Sequence, residues 1–216
     1  VYKRQALYPL MARFGVHDRD KLHYLYHKAS QYTLMVGLPL AAGVTVLAAP
    51  IITLLFGPDF APAIPALQIS VWAIVFALIN VPNARLMLVN GKQTPASWLR
   101  GVGTVASVGL NLFLIPRLGI NGAAIARVLA TAIFFFSIYV YVQRHFLRDP
   151  LLPLIVRPAI ATVIMSVVVW YLRDTFLLIP IVAGIVVYGI LMVVMGGVTE
   201  EDRAYLRQLF DFKPAV

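Results

Sequence analysis

Six long apolar stretches, at about 31–56, 63–89, 95–116, 119–142, 151–172 and 177–196, constrain this chain more than any other feature. Each is long enough for a helix to cross a hydrocarbon core, which takes about 20 residues. Only short polar breaks separate them. A chain that passes repeatedly through lipid must satisfy its own backbone hydrogen bonds, which leaves helices or a closed barrel. The two-residue alternation of barrel strands is absent. The fold class is therefore all-α: a polytopic membrane protein with six transmembrane helices. With 61% hydrophobic and only 12% charged residues, the composition is far from the roughly 25% charged of soluble domains.

The net charge of +9 would suit a nucleic-acid partner if it formed a patch, but it is spread by topology instead. Six Lys/Arg fall in residues 1–30; Arg85, Lys92 and Arg100 surround the second hairpin; Arg144, Arg148 and Arg157 surround the fourth; Arg203, Arg207 and Lys213 lie in the tail. The alternate loops hold only Arg117 and Arg173. That asymmetry puts both ends of the sequence in the cytoplasm by the positive-inside rule and argues against nucleic acid. Val1 opens a segment, VYKRQALYPL, with no apolar signal core. It reads as a piece lacking an N-terminal part.

Several chemistries have no residues to carry them. There is no cysteine, hence no thiol nucleophile, disulfide or thiolate metal site. His23 and His27 have the i, i+4 spacing of a metal pair, but no third ligand is near, and the segment HDRDKLHYLYHKASQYTL reads as an interfacial amphipathic helix. No metal or cofactor is called for. All nine carboxylates sit in termini, loops or span ends. Proton or sodium coupling and paired-carboxylate hydrolysis both need acids inside the spans.

The polar residues that do enter the spans are distinctive. Span two carries Asn80, Pro82 and Asn83, either a hinge with binding groups or a satisfied kink. In span three, Ser97, Arg100, Thr104, Ser107 and Asn111 fall within an arc of about 80°, opposite Val102, Val105, Leu112 and Phe113. Such a stripe in lipid is either glue between helices or the wall of a wet cavity, and five residues in register favour the cavity. The apolar run stops at Pro116–Arg117, restarts at Gly119, and then places Arg127 about 12 Å along the next helix, near mid-membrane. Its neighbours Ala123, Ala124, Ala130 and Thr131 form a small inward face; Leu129, Ile133, Phe136 and Val140 lie opposite. A buried arginine costs roughly 2.5–3.5 kcal/mol even on insertion scales, so it faces a bundle interior or water. Arginines without acids suit an anion, because guanidinium presents a fork of donors that matches phosphate oxygens. The candidate substrate-contacting residues are thus Arg100, Thr104, Ser107, Asn111, Arg127 and Thr131, with Asn80 and Asn83.

The stretches ALYPLMARFG, GLPLAAGVTVLAAPIITLLFGPDFAPAIPALQI, LNLFLIPRLGINGAAIARVLA and TEEDRAYLRQL resemble the polysaccharide, or lipid-linked oligosaccharide, flippases of the multidrug/oligosaccharidyl-lipid/polysaccharide exporter superfamily. The resemblance covers residues 6 to about 144 well and the last two spans loosely. It implies two helical lobes around a central cavity, alternating access, and movement of an undecaprenyl-pyrophosphate-linked glycan across the cytoplasmic membrane. Arg127 stands where that family commonly has a small polar residue, so its role is read from this chain alone. On this view residues 1–30 are the end of a preceding helix and a cytoplasmic amphipathic segment. Residues 31–144 are four helices of the C-terminal transporter lobe, 145–198 two peripheral membrane helices, and 199–216 a cytoplasmic tail. Thr199 and Asp202 form a loose capping box for a short tail helix over about 200–210. The partners implied are the lipid-linked glycan, membrane lipid and an N-terminal lobe of the same protein. Two alternatives stand beside this reading. A drug/cation antiporter of the same superfamily would carry acids in its spans. A membrane glycan polymerase or acyltransferase would carry a catalytic His or carboxylate on a large external loop, whereas the external loops here are short and lack His.

Overall fold

The computed structural model describes residues 19–146 and 149–197, and these residues are helical without a strand. The helices are α1 (Arg19–Phe56), a 3-10 turn (Pro58–Ala63), α2 (Ile64–Ser70), α3 (Ala73–Val89), α4 (Gln93–His145), α5 (Leu152–Leu172) and α6 (Leu178–Val194). The six expected spans are recovered, with four differences of detail.

First, His23 and His27 do not belong to a separate interfacial helix. α1 runs unbroken for 38 residues through Pro39 and Pro50, roughly 57 Å at 1.5 Å per residue, well beyond a hydrocarbon core of about 30 Å. Its first turns are held by packing: Leu22 and Tyr26 are buried with Leu86 and Met87 of α3 and Ile138 and Val142 of α4. Second, the second span is built from the 3-10 turn, α2 and α3. Around residues 71–72 the backbone switches to i, i+3 bonds, Trp72 N–H to Ile69 O and Val75 N–H to Trp72 O at 3.2 Å, which carry the chain through the bend. Gln68 fastens α2 to α1 by donating to Thr45 O at 3.1 Å.

Third, the break expected over Pro116–Gly119 narrows to Gly119 alone. α4 is two helices joined across Gly119, whose φ of 54° and ψ of −132° suit only a residue without a side chain. The helix absorbs Pro116, and the Arg117 guanidinium stacks on Phe113 at 3.7 Å. Fourth, α6 has only 17 residues, fewer than the 21 of α5, the shortest of the four segments long enough to cross a membrane. The proposed tail helix and the ALYPLMARFG segment lie outside the described residues.

The helices form a row. α4 packs on α3, α3 on α1, α1 on α5, and α5 on α6. Three apolar clusters hold them along the axis. One joins α1, α3 and α4; a second places Leu34, Ile79, Phe135, Leu151 and Leu154 together; the third joins Ala42 and Leu47 of α1 to Met165 and Val169 of α5. Large residues on the outer faces, such as Val105 and Leu112 at 74% exposure, are where a membrane protein meets acyl chains rather than water.

Candidate functional site

The two arms of α4 fold back on each other as an antiparallel hairpin. Gly122 lies so close to Leu114 that a Cβ would fall into its carbonyl, and a Cβ on Gly103 would sit 2.8 Å from Phe134 Cβ. Missing side chains therefore set how near the arms approach, as small residues do between membrane helices. Between the arms runs an open groove of about 600 Å³, lined by Arg100, Thr104, Ser107 and Asn111 from the first arm and Ala123, Arg127, Ala130 and Thr131 from the second, with Gly103 and Phe134 at its floor. Six of the eight candidate residues share this one concavity.

Asn80 and Asn83 do not reach it. Both are buried on α3. Asn83 Oδ1 accepts the Tyr26 hydroxyl at 2.8 Å, and its Nδ2 donates to Ile79 O at 3.1 Å. Of the two readings open for this pair, the satisfied kink describes Asn83. Asn80 is buried with neither amide atom bonded among the described residues. Periodicity could not separate these residues from the groove, because which face of α3 meets α1 depends on packing.

The groove's hydrogen-bonding character differs from that of a plain polar stripe. Thr104 Oγ1 donates to Arg100 O at 3.1 Å and Thr131 Oγ1 to Arg127 O at 2.7 Å. Asn111 Nδ2 donates to Ser107 O at 2.7 Å. These side chains spend their donors on their own helix, and present acceptor oxygens to the groove. The donors left are the two guanidinium forks and the Ser107 hydroxyl. Among the described residues no carboxylate lines the groove, and both arginines are exposed within it. Arg100 stands about ten residues further from the hairpin turn than Arg127, an axial offset of about 15 Å. The groove thus carries two guanidinium forks in series, with side-chain oxygens between them. Such a set can hold a group that is anionic at one point and rich in hydroxyls elsewhere. It contains no pair of nucleophile and base.

A second polar network was not anticipated. Asp149, read as a loop acid, is almost fully buried. Its two carboxylate oxygens accept from His27 Nδ1 at 3.1 Å. Gln143 Nε2 donates to its carbonyl at 2.6 Å, and its own N–H donates to Gln143 Oε1 at 2.9 Å. The network clamps the α4–α5 connection to α1. Only the His-x₃-His spacing hinted that His27 had a partner, and the partner is a carboxylate 122 residues away.

The family described as "Lipid II flippase MurJ" matches residues 4–189. This chain belongs to that family. A protein described as "Probable lipid II flippase MurJ" from Rhizobium meliloti is 30% identical over 161 residues, covering 69% of this chain and 30% of the relative. An "Uncharacterized membrane protein" of Methanocaldococcus jannaschii is 28% identical over 190 residues, covering 86% of this chain and 37% of the relative. The fold is similar to that of a solved "Lipid II flippase MurJ, inward closed conformation", with a TM-score of 0.76 at 19% identity, over 89% of this chain and 43% of that one. The chain therefore spans between about a third and under half of the length of these proteins. The MurJ family is one of lipid-carrying membrane transporters rather than enzymes, and this chain is a multi-pass membrane protein of that family.

Proposed function

We propose that this chain forms most of one lobe of a flippase that carries an undecaprenyl-pyrophosphate-linked oligosaccharide across the cytoplasmic membrane by alternating access. The observation that carries the proposal is the convergence of Arg100 and Arg127 with Ser107, Thr104, Asn111 and Thr131 in one groove that no carboxylate among the described residues lines. The pyrophosphate is the anion for the guanidinium forks, and sugar hydroxyls are donors for the threonine and asparagine oxygens. The open side of the groove faces the other lobe of the transporter, which fits the share of the MurJ relatives that this chain covers. The name of the solved relative, an inward closed flippase, fits a cycle in which access alternates. The ends of the chain lie in the cytoplasm, supported by the Lys/Arg asymmetry. Arg100 then sits toward the cytoplasmic mouth and Arg127 nearer the midplane, so that the headgroup passes from one to the other.

The test is glycan export divided by the amount of inserted protein. Arg127→Lys keeps the charge and loses the bidentate fork, so the ratio falls in part; Arg127→Ala lowers it further. A ratio unchanged in Arg127→Ala, with less inserted protein, would mean that the arginine only braces the helix.

A further inference from the structure

α1 and α3 pack antiparallel, and two contacts fix which of their residues face each other. The Tyr26 hydroxyl meets Asn83, and a Cβ on Gly37 would touch Leu78 and Val75. Between these points Ser30, one turn beyond Tyr26, stands opposite Asn80, one turn before Asn83. Counted from the Tyr26–Asn83 bond, the two lie about 6 Å and about 4.5 Å along their helices, so they share a level to within about 1.5 Å. Both are buried, Ser30 completely and Asn80 at 6% exposure. Neither Ser30 Oγ nor either amide atom of Asn80 has a hydrogen-bond partner among the described residues. The Tyr26 hydroxyl is close to Ser30, but its proton goes to Asn83. A third polar group belongs to the same level. Pro82 has no N–H, so the Leu78 carbonyl loses its helical donor, and a helix carbonyl points along the chain toward the residues that follow it.

Buried polar groups are nearly always met, and a proline inside a membrane helix is tolerated where side chains or ordered water take over the freed carbonyl. The chemistry of the three groups selects the ligand. Asn80 offers two donors and an acceptor, Ser30 a donor and an acceptor, and Leu78 an acceptor. A metal cation would satisfy the oxygens and strand the Asn80 NH2, and an anion would do the reverse. Water both donates and accepts, and a buried water typically makes about three hydrogen bonds to groups without other partners. The place suits it as well. Lys28 is two positions away on α1 and Arg85 five positions away on α3, so the site lies toward the charged end of the span and water reaches it without crossing the hydrocarbon. We propose that ordered water is bound between α1 and α3, bridging the Ser30 hydroxyl, the Asn80 amide and the Leu78 carbonyl, and that it ties the proline-containing stretch of α3 to α1.

Two measurements on the full-length protein in detergent test the proposal. In the first, hydroxyl radicals are generated by a short X-ray pulse, which marks side chains beside bound internal water even where bulk solvent does not reach. Leu34 and Ile79, which flank the site, should be modified several-fold more than Leu47 and Val169, which are as deeply buried in the apolar cluster between α1 and α5. In the second, thermal unfolding midpoints are compared for Ser30→Ala, Asn80→Leu and the double variant. Each single change should lower the midpoint, and the double variant should fall no further than the worse single one, because the partners of one water are lost together. Single variants that raise the midpoint, with effects that add, would mean that the groups are merely unmet and would overturn the proposal. Modification at Leu34 and Ile79 no greater than at Leu47 and Val169 would overturn it even if the variants couple, since a direct bond between the two side chains couples them too. A midpoint that rises with sodium chloride and not with choline chloride at equal ionic strength, and does so only while Asn80 is present, would make the ligand a cation. The labelling needs no variant, so it decides the matter if Asn80→Leu does not fold.

Discussion

The Tyr26 hydroxyl donates to Asn83 Oδ1 at 2.8 Å across 57 residues of sequence, with both residues buried. This bond joins the first turns of α1 to the proline-containing stretch of α3, inside the cluster that includes Ile138 and Val142 of α4. It assigns Asn83 to the framework that positions α4 rather than to the groove. Tyr26→Phe strands a buried amide oxygen and is expected to destabilise the protein by about 1–3 kcal/mol. Adding Asn83→Leu removes the stranded group, so the double variant should lose less than the single one. Thermal unfolding in detergent measures both, and export per inserted protein should stay unchanged in Asn83→Leu.

The hairpin that builds the groove rests on two glycines with different duties. Gly119 supplies a positive φ and Gly122 supplies space beside Leu114. Gly122→Ala must push the arms apart or shift the turn, because the obstacle is backbone. Gly119→Ala forces a side chain into a glycine-only conformation at a cost on the order of 1–3 kcal/mol. Both should lower export per inserted protein, since the distance between Arg100 and Arg127 depends on the turn. Gly109→Ala, where nothing lies within 4 Å, is the control and should export normally.

Asp149 combines a side-chain contact to His27 with a backbone clamp to Gln143. Asp149→Asn keeps the backbone clamp and loses the charged acceptor, so the expected loss of stability is about 1–2 kcal/mol. Gln143→Ala removes two of the three hydrogen bonds to the Asp149 main chain, leaving the Tyr139 hydroxyl at 3.4 Å from its carbonyl, and should cost more. Unfolding midpoints of the two variants compare the contributions directly.

Orientation is open to a direct measurement. Single cysteines at Lys92, which caps the start of α4, and at Arg117, in the last turn of its first arm before Gly119, introduced into the full-length protein, report on the two ends of one span. The 216 residues of this chain contain no cysteine, and any elsewhere in the full-length protein is replaced first. An impermeant thiol reagent should label only the Arg117 position in intact cells whose outer barrier, where present, has been opened. Labelling at Lys92 alone would reverse the topology.

The apolar stretches determined by themselves that the chain is a set of membrane-spanning helices, because hydrocarbon leaves the backbone no other partner. Helical periodicity likewise determined that Arg100, Thr104, Ser107 and Asn111 share a face and that Arg127 sits among small residues, since 100° per residue is fixed by local geometry. What periodicity cannot express is which faces meet. Only the tertiary structure turned the two arms of α4 toward each other, through Gly119, Gly122 and Gly103, and so joined two stripes into one groove. Only packing sent Asn83 to Tyr26 and buried Asp149 against His27. These contacts link residues 57 and 122 positions apart, and the choice among such partners depends on the shape of the whole bundle rather than on any local run of sequence.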